Sequence, residues 1–353
     1  KTAVIGTLGA VIDNKKVSLD LTTPDPMQLH KLFLDAYEKG VEYVVMEASA
    51  HAIYYEKLYG IRAEISVFSN ITQDHLDFFK TMENYAKTKT DYFKEENMKM
   101  AVVNSDDKYG RQILKRGKGF VLSYGIDNPS DVFAMDIKQA NGKTTFIINA
   151  FDEVAEIVAP LLGRFNIYNV LSAVTVAKIL KVPMNTICRA IMRLREIEGR
   201  FNIINRDITV IIDYAHTPDG LTNVLTAAKE LEGGKLITVF GCGGDRDKTK
   251  RPLMGKVAGE LSDYCVVTSD NPRFENPNDI IKDIEKGISQ VTKDYICIKD
   301  RAKAIAYAVK NAKKGDKVVI AGKGGEEYID IMGVKLEYSD KKAAKSALRS
   351  YHN

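Results

Sequence analysis

Tyr264-Cys265-Val266-Val267-Thr268 is a short apolar run that predicts a buried parallel strand. The amphipathic run Asp279-Ile280-Ile281-Lys282-Asp283-Ile284 predicts a helix. Between them lies Asp270-Asn271-Pro272-Arg273-Phe274-Glu275-Asn276-Pro277, which is therefore the loop after a strand of an α/β sheet, where such sheets bind ligands. The prolines stiffen this loop, and Arg273 can hold a carboxylate through two parallel hydrogen bonds. An ordinary Asn-Pro turn with a surface arginine is the alternative.

Strands and helices alternate along most of the chain, which indicates an α/β fold with mostly parallel sheets. In the first half we expect strands at Val41–Met46, Glu64–Ile71 and Met100–Asn104, an antiparallel hairpin within Val121–Ala150 around Asn141-Gly142, and helices at Glu83–Glu95, Phe165–Leu180 and Met184–Arg195.

A second series of strands begins near Ile208 and predicts one doubly wound, dinucleotide-type domain. These strands are Ile208–Ile212, Lys235–Phe240, Tyr264–Thr268, Tyr295–Ile298 and Lys317–Ile320, and a last helix is expected at Lys341–Tyr351. We place the boundary near Gly199, which gives a central domain of residues 1–198 and a C-terminal domain of residues 199–353.

Composition excludes several classes of function. The formal net charge of +4 is too small to argue for nucleic-acid binding. No run approaches the roughly 18 apolar residues of a membrane span. The four cysteines have no metal-site spacing, and buried thiols in a reducing cytoplasm are expected. We therefore expect a cytoplasmic protein, and a monomer.

Two clusters of polar residues follow predicted strands of the first domain. Glu47 ends the run Val41–Met46, so its carboxylate emerges at the carboxyl end of a strand and suits Mg²⁺. A glutamate that pairs with a helix dipole is the alternative. His75, in the run Asn70–Asp77, is either a metal ligand or a polar residue with an ordinary hydrogen-bond partner.

Lys89 shares one helix face with Tyr85 and Tyr92, which lie four and three residues away. A lysine on such a stripe is expected to be partly buried, and burial favours the neutral amine. A neutral amine near a divalent cation can react with CO₂ to form a carbamate, an anionic oxygen donor. A lysine that extends its ammonium into solvent is the alternative.

Polar and glycine-rich segments also occur at strand ends and at a helix start. Asn166 and Asn169 share a helix face and can bind an adenine edge or only cap the helix. Asp213 can accept a hydrogen bond from a ribose or help to position a phosphate. The loops Gly241–Gly244 and Gly322–Gly325 are individually weak signals, because tight turns need glycine. Asp213 and these two loops each follow a strand of the same predicted sheet. The carboxyl ends of these three strands should converge on one crevice, which strengthens the prediction of a site.

Together these motifs resemble the Mur ligases, and most closely those members that add 2,6-diaminopimelate to UDP-N-acetylmuramoyl-L-alanyl-D-glutamate. The resemblance runs from Val4-Ile5-Gly6-Thr7-Leu8-Gly9 through the whole chain, in the family order and with near-family spacing. It implies a central ATP-binding domain and a C-terminal dinucleotide-fold domain that close on each other by a hinge near Gly199. The implied activity is ATP-dependent amide formation through an acyl phosphate, in peptidoglycan precursor synthesis.

The resemblance also implies roles for individual residues. Glu47 and His75 resemble Mg²⁺ ligands, and Lys89 resembles the carbamylated lysine. The residues that resemble nucleotide contacts are Asn70, Asn166, Asn169, Arg200 and Asp213. Those that resemble contacts to the UDP-N-acetylmuramoyl-dipeptide are Thr22, Thr23, Ser49 and, in place of a family arginine, Lys57. Those that match the amino-acid pocket are Arg246, Asp270, Asn271, Pro272, Arg273, Gly322 and Glu326.

Arg273 carries the prediction of the amino acid. In the family, an arginine in the Asp-Asn-Pro-Arg loop goes with diaminopimelate, and its absence goes with lysine. Diaminopimelate, expected as the meso isomer, has a second carboxylate at its far end, which Arg273 can bind. Glu326 can bind the distal ammonium.

The family's phosphate-binding loop, of the Gly-x-Gly-Lys-Thr type, is absent from the sequence. In the family it precedes the strand that begins here at Thr2, and it follows an N-terminal domain for the uridine nucleotide. We therefore expect a truncated chain with little or no ligase activity alone. The alternatives are a ligase of the same fold that uses lysine or lanthionine, a folylpolyglutamate synthase, and a non-catalytic remnant that binds a nucleotide or a partner.

Overall fold

A computed structural model describes residues 1–117, 121–140, 142–195, 197–205 and 207–350. Asn141 of the predicted hairpin turn and Tyr351 of the predicted last helix lie outside the described residues.

The N-terminal part of the chain alternates between strands and helices. Its strands are β1 (Thr2–Gly6), β2 (Gly9–Ile12), β3 (Lys15–Val17), β4 (Tyr43–Met46), β5 (Ala63–Phe68), β6 (Met98–Asn104), β7 (Val121–Gly125), β8 (Val132–Ala140), β9 (Lys143–Ala150) and β10 (Glu153–Ala159). Its helices are α1 (Pro26–Glu38), α2 (Ala50–Tyr54), α3 (Leu76–Phe79), α4 (Met82–Asp91), α5 (Lys108–Arg116), α6 (Arg164–Ile179) and α7 (Met184–Met192).

The C-terminal part begins with an edge strand and ends with a helix. Its strands are β11 (Asn202–Asn205), β12 (Thr209–Asp213), β13 (Leu236–Phe240), β14 (Tyr264–Val267), β15 (Tyr295–Cys297), β16 (Lys317–Ala321), β17 (Tyr328–Ile331) and β18 (Val334–Glu337). Its helices are α8 (Pro218–Glu230), α9 (Lys250–Leu261), α10 (Pro277–Ile288), α11 (Arg301–Asn311) and α12 (Asp340–Ser350).

The N-terminal strands form two sheets, with the orders β3-β2-β1-β4 and β10-β9-β8-β7-β6-β5. In the first sheet, β1 is parallel to β4 and antiparallel to β2. In the second, β5 to β8 are parallel neighbours, and β8, β9 and β10 are antiparallel. The antiparallel hairpin is therefore confirmed as β8 and β9. Part of its predicted range is β7, a parallel strand, and β10 adds an antiparallel strand that was not predicted from the sequence.

The C-terminal sheet has the order β11-β12-β16-β13-β14-β15. All of its neighbouring strands are parallel except β11, which runs antiparallel to β12 at the edge. Helices cover both faces of this sheet. Cys265 and Val267 of β14 pack in the core that contains residues of α8, α9 and α10, while Val266 packs in the core with residues of α11 and α12. Burial on both faces explains why β14 is apolar at successive positions.

Among the described residues, no helix is long and apolar enough to cross a membrane.

Candidate functional site

The loops predicted to bind the amino acid lie together at the carboxyl ends of parallel strands of the C-terminal sheet. The loop after β13 contacts the loop after β14, because the Gly244 amide donates a hydrogen bond to the Asn271 carbonyl over 2.9 Å. A Cβ on Gly244 would lie 1.9 Å from the Pro272 carbonyl oxygen, so only glycine permits this approach. The loop after β16 joins β12 through a 3.1 Å hydrogen bond from the Gly322 amide to the Asp213 carbonyl.

Arg273 adopts a left-handed backbone conformation, with φ of 49°. Its amide donates to the Asp330 carbonyl over 3.0 Å, and its carbonyl accepts from the Met332 amide over 2.9 Å. The hairpin of β17 and β18 therefore holds this residue by its backbone. The guanidinium Nη1 donates to the Gly244 carbonyl over 2.7 Å, and among the described residues Nη2 has no hydrogen bond.

Arg246 lies next to Arg273 across Gly243. A Cβ on Gly243 would lie 2.9 Å from Nη1 of Arg273 and 3.8 Å from Cγ of Arg246. Arg246 is exposed, and its Nη1 donates to the Asp245 carbonyl over 3.1 Å. Two arginine side chains that start beside the same glycine suit a ligand that carries carboxylates.

Asn271 and Glu326 meet from different loops, since Nδ2 of Asn271 donates to Oε2 of Glu326 over 2.9 Å. Asp270 is buried, and its Oδ1 accepts from the Asn271 amide over 2.6 Å. Gly322 has φ of 121°, and a Cβ there would lie 2.5 Å from Oδ2 of Asp270. Glycine is therefore required at this position of the site.

Glu47 follows β4 and lies among threonines from neighbouring segments. Its Oε2 accepts from Oγ1 of Thr7 over 2.7 Å, and Thr7 lies 3.2 Å from Oγ1 of Thr22. Oγ1 of Thr23 donates to the Glu47 carbonyl over 2.8 Å and accepts from the Ser49 amide over 3.0 Å. The structure thus brings Thr22, Thr23 and Ser49 to the predicted metal ligand Glu47.

Ser49 also caps α2, because its Oγ accepts from the Ala52 amide over 3.2 Å. Lys57 forms an ion pair with Asp25, with Nζ 2.6 Å from Oδ1. Asp25 follows the loop of Thr22 and Thr23 in the sequence, so Lys57 lies near the segment with which it was predicted to act.

His75 lies beside Asp74, which joins the N-terminal and C-terminal parts of the chain. Oδ2 of Asp74 is 3.4 Å from Nε2 of His75 and 3.5 Å from Nε2 of His216, and Oδ1 is 3.4 Å from Nζ of Lys250. Burial alone would raise the pKa of Asp74, but His216, Lys250 and His75 together hold it well below its usual range. Burial lowers the pKa of His75, against the opposing effect of Asp74.

Lys89 is half-buried, and its Nζ lies 5.6 Å from the centre of the Tyr85 ring. Nζ donates to the Asn70 carbonyl over 3.3 Å. Burial lowers the pKa of Lys89, although Asp107 and Asp74 oppose the shift. Lys89 is therefore partly buried, as expected, and its burial favours the neutral amine.

The residues predicted to contact the nucleotide fall in separate groups. Nδ2 of Asn169 donates to Oδ1 of Asn166 over 3.1 Å, and Nδ2 of Asn166 donates to the Leu162 carbonyl over 2.8 Å. The N-cap residue of α6 is Gly163, so neither asparagine occupies the N-cap position, although Asn166 bonds to the segment just before the helix.

Asp213 and Arg200 lie at the junction between the two parts of the chain. Both carboxylate oxygens of Asp213 accept backbone hydrogen bonds, from Phe201 over 2.8 Å and from Ala215 over 2.7 Å. Burial raises the pKa of Asp213, while these hydrogen bonds oppose the shift. The Arg200 guanidinium lies 4.3 Å from the centre of the Tyr214 ring. Asp213 therefore joins the end of β12 to the segment that follows Gly199.

The described residues contain no group of three or more His, Cys, Asp or Glu side chains that could hold a metal ion. Glu47 and His75 thus do not complete a metal site by themselves. The exposed Glu47 carboxylate still fits Mg²⁺, because this ion commonly takes only one or two protein carboxylates and fills its other positions with water and phosphate oxygens.

Asp74, Lys250 and Lys323 were not predicted from the sequence as site residues. Lys250 and Lys323 are buried, and burial of a lysine is rare without a specific partner. The only sequence signal for Asp74 was its place beside His75 after a predicted strand.

Comparisons with known proteins agree with this architecture. The family described as Mur ligase middle domain matches residues 1–177, and the family described as Mur ligase, glutamate ligase domain, matches residues 199–324. The UDP-N-acetylmuramoyl-L-alanyl-D-glutamate–2,6-diaminopimelate ligase of Caldanaerobacter subterraneus subsp. tengcongensis is 43% identical over 350 residues, which cover 99% of this chain and 72% of that protein.

Solved structures give the same result. A UDP-N-acetylmuramoyl-L-alanyl-D-glutamate–2,6-diaminopimelate ligase aligns with a TM-score of 0.66 and 34% identity, covering 100% of this chain and 73% of the other. Mycobacterium tuberculosis folylpolyglutamate synthase aligns with a TM-score of 0.72 but only 18% identity, covering 91% and 82%, so this likeness shows the fold alone. Because a relative with 43% identity covers 99% of the chain and the two family models match its first half and most of its second half, the chain belongs to the Mur ligase family.

Proposed function

We propose that this enzyme joins 2,6-diaminopimelate to UDP-N-acetylmuramoyl-L-alanyl-D-glutamate with consumption of ATP, a step in peptidoglycan precursor synthesis. The observation that carries the proposal is the position of Arg273 beside Arg246 in a loop that also contacts Glu326. The names of the relatives with 43% and 34% identity describe the same reaction.

The amino-acid pocket has charges that complement the far end of diaminopimelate, which carries a carboxylate and an ammonium. Nη2 of Arg273 is available for the carboxylate, and a planar guanidinium binds a carboxylate better than a lysine would. Glu326, whose side chain is 22% exposed, can accept from the ammonium. Lysine has the ammonium but lacks the carboxylate, so Arg273 discriminates between the two amino acids.

The chemistry that we propose has two balanced steps. The D-glutamyl carboxylate attacks the γ-phosphorus of ATP, which forms an acyl phosphate and releases ADP. The amine of diaminopimelate then attacks the acyl carbon, and the resulting tetrahedral intermediate loses phosphate and a proton to give the amide. Thr22, Thr23 and Ser49 are the proposed contacts for the muramoyl-dipeptide, and Lys57 is a further one.

Glu47 and His75, together with a carbamylated Lys89, are the residues that we propose to hold Mg²⁺. When bound, the ion would offset negative charge between the phosphate and carboxylate groups. The lowered pKa of Lys89 supports the carbamate, because only a neutral amine adds CO₂ with release of a proton. Asn70, Asn166, Asn169, Arg200 and Asp213 are the proposed nucleotide contacts. The buried free cysteines Cys242 and Cys265 suit the cytoplasm, where we place a monomeric enzyme.

The test is phosphate release by the intact gene product with ATP, the muramoyl-dipeptide substrate and a panel of amino acids. Diaminopimelate should support release, whereas lysine should support at least tenfold less at equal concentration. Equal turnover with both amino acids would contradict the proposed substrate. Isotope-labelled CO₂ trapped on Lys89 and located by mass spectrometry would test the carbamate independently of activity.

A further inference from the structure

Lys323 is a fully buried cation inside the amino-acid pocket that the proposed reaction leaves without a role. Its side chain has 0% exposure. Its Nζ donates to Oδ1 of Asn271 over 2.8 Å and to Oε2 of Glu326 over 2.9 Å, and it lies 3.8 Å from Oδ1 of Asp270. An ammonium is removed from water at a high cost unless it is paired, so these partners account for its burial.

Lys323 determines how the side-chain amide of Asn271 is oriented. Oδ1 of Asn271 accepts from Lys323 and also from the Asp330 amide over 3.0 Å. Both are donors, so this atom must be the oxygen. The opposite atom, Nδ2, therefore points to Oε2 of Glu326. The ammonium thus orders two loops through one asparagine.

Lys323 also determines which oxygen of Glu326 faces the ligand. Oε2 accepts two hydrogen bonds, from Lys323 and from Asn271. Oε1 has no hydrogen bond among the described residues and is the atom left for an incoming ammonium. A carboxylate with one oxygen fixed in this way is already oriented before the amino acid binds, which lowers the entropic cost of binding.

We propose that Lys323 is a positioning residue for amino-acid recognition, which holds Asn271 and Glu326 so that Glu326 receives the distal ammonium of the substrate. The inference rests on the proposed function and deepens it. Charge alone predicts the opposite effect, since removing a cation next to Glu326 would make the pocket more attractive to an ammonium. The direction of the change in KM therefore separates positioning from simple electrostatics.

The chain offers a matched control for the loss of a buried lysine. Lys317 is 4% exposed and lies at the amino end of β16, six residues before Lys323 and at the opposite end of the strand from the pocket. Its Nζ donates to the Leu231 carbonyl over 2.8 Å. Substitution of either lysine removes a buried cation from the same domain, but only Lys323 contacts the proposed ligand-binding residues.

The experiment measures KM for diaminopimelate and for ATP in the intact gene product carrying Lys323→Met, Lys323→Gln or Lys317→Met. Thermal unfolding of each variant shows that it is folded. We expect both Lys323 variants to raise KM for diaminopimelate about tenfold or more, the range expected for losing hydrogen bonds to charged groups. KM for ATP should change by less than about twofold, and Lys317→Met should leave both values near those of the wild type.

Each other outcome has a definite meaning. An unchanged or lowered KM for diaminopimelate in folded Lys323 variants would overturn the positioning role and leave the proposed function intact. Loss of folding in both Lys323 variants, with Lys317→Met folded, would show that the role is structural and would also overturn it. A wild-type protein that releases no phosphate with diaminopimelate would overturn the proposed function, and this inference with it.

Discussion

Arg273 combines an uncommon backbone conformation with the proposed recognition of the substrate. A residue other than glycine at φ of 49° costs on the order of 1–3 kcal/mol, so this conformation persists only where the surrounding structure fixes it. Here the surroundings are specific, because the Arg273 backbone bonds to both Asp330 and Met332. Arg273, which we propose to select the amino acid, therefore has a strained backbone. Its hydrogen bonds to the hairpin of β17 and β18 offset the cost of that strain.

Replacement of Arg273 by alanine tests this role. Loss of a charge-assisted pair with the distal carboxylate should raise KM for diaminopimelate by about 10- to 100-fold. Turnover with lysine should change little, so the preference for diaminopimelate should fall. Steady-state kinetics with both amino acids is the measurement. Arg273→Lys, which keeps the charge but loses the planar group, should recover part of the affinity; an Arg273→Ala enzyme with wild-type KM would place the carboxylate elsewhere.

Glu275, in the same loop as Arg273, bonds to a buried arginine and to the loop after β13. Its two oxygens accept from the buried Arg251 over 2.8 and 3.0 Å, and Oε1 also accepts from the Asp245 amide over 2.6 Å. Hydrogen bonds from Arg251, against the effect of burial and with help from Asp245 and Lys248, lower the pKa of Glu275 to about 2. The ionised carboxylate is therefore the form that stabilises the fold.

This shift predicts a pH dependence of stability. The folded-state pKa of Glu275 is lower than the ordinary value of about 4.3. Its contribution to the free energy of unfolding is therefore complete above about pH 4.3 and is lost as the pH falls toward 2. Glu275→Gln should lower the free energy of unfolding at pH 7 by roughly 1.5–3 kcal/mol.

Denaturant titrations from pH 7 to pH 3 should show this difference shrinking below about pH 4. Glu260→Gln is the control, because Glu260 lies in an exposed pair 3.8 Å from Lys256 and should have little effect at any pH. A difference between wild type and Glu275→Gln that does not vary with pH would contradict the assignment.

The connection between the domains packs directly against the loop after β16. Gly199 has φ of 69°, and a Cβ there would lie 1.9 Å from the Gly325 amide nitrogen. Gly324 also approaches closely, since a Cβ on it would lie 2.6 Å from the Gly199 carbonyl oxygen. The segment proposed as a hinge and the loop that carries Lys323 and Glu326 are therefore in van der Waals contact.

Gly199→Ala should therefore affect amino-acid binding as well as stability. The added methyl group must displace the loop after β16, so we expect KM for diaminopimelate to rise at least several-fold. Gly40→Ala is a close control, because Gly40 has φ of 67° but nothing within 4 Å of an added Cβ. It carries the same backbone cost, roughly 1 kcal/mol, without the clash. Equal kinetic effects of the two substitutions would show that backbone strain alone is responsible.

The regular elements were predictable where burial imposes a pattern. The five parallel strands of the C-terminal sheet lie within two residues of their expected bounds, because burial on both faces requires continuous apolar runs. β11 was missed because Asn202–Asn205 is a short edge strand with polar ends. The expected strand Val41–Met46 begins at Tyr43 instead, since the Val41 amide bonds to the Ala36 carbonyl and continues the end of α1.

The candidate site was predictable where it follows strand ends, and not where it depends on distant segments. Arg273 and Glu326 could be placed at one sheet edge from topology alone, although the resemblance to a family supplied their roles. The contact between Asp74 and Lys250 joins residues 176 positions apart in different domains. Such a contact depends on how the N-terminal and C-terminal parts of the chain pack against each other, which no local pattern encodes.

The two domains meet at polar contacts near the proposed metal ligands. Nε2 of Gln73 donates to Oδ2 of Asp247 over 3.0 Å and to Oγ1 of Thr249 over 2.9 Å, next to the pairing of Asp74 with Lys250. The proposed reaction brings an acyl phosphate and an amine together, so we expect these contacts to hold the two parts of the chain in the arrangement in which both substrates meet.

Gln73→Ala should consequently reduce turnover without unfolding either domain. It removes the donor to Oδ2 of Asp247, a residue only 4% exposed whose Oδ1 still accepts from Thr249. The contact between the two parts of the chain should therefore lose about 1 kcal/mol, and kcat should fall about fivefold. Small-angle X-ray scattering with substrates should show a larger radius of gyration than for the wild type.

Glu230→Ala is the matched control, because it removes a different hydrogen bond between the two parts of the chain. This bond, from Gln139 to Glu230 over 2.7 Å, is exposed and involves none of the proposed metal ligands. An exposed pair of this kind contributes little, so both kcat and the scattering profile should stay near those of the wild type. If Glu230→Ala lowers kcat as much as Gln73→Ala does, the interface as a whole limits turnover. The specific claim for Gln73, that it holds the domains closed beside the reacting groups, would then be wrong.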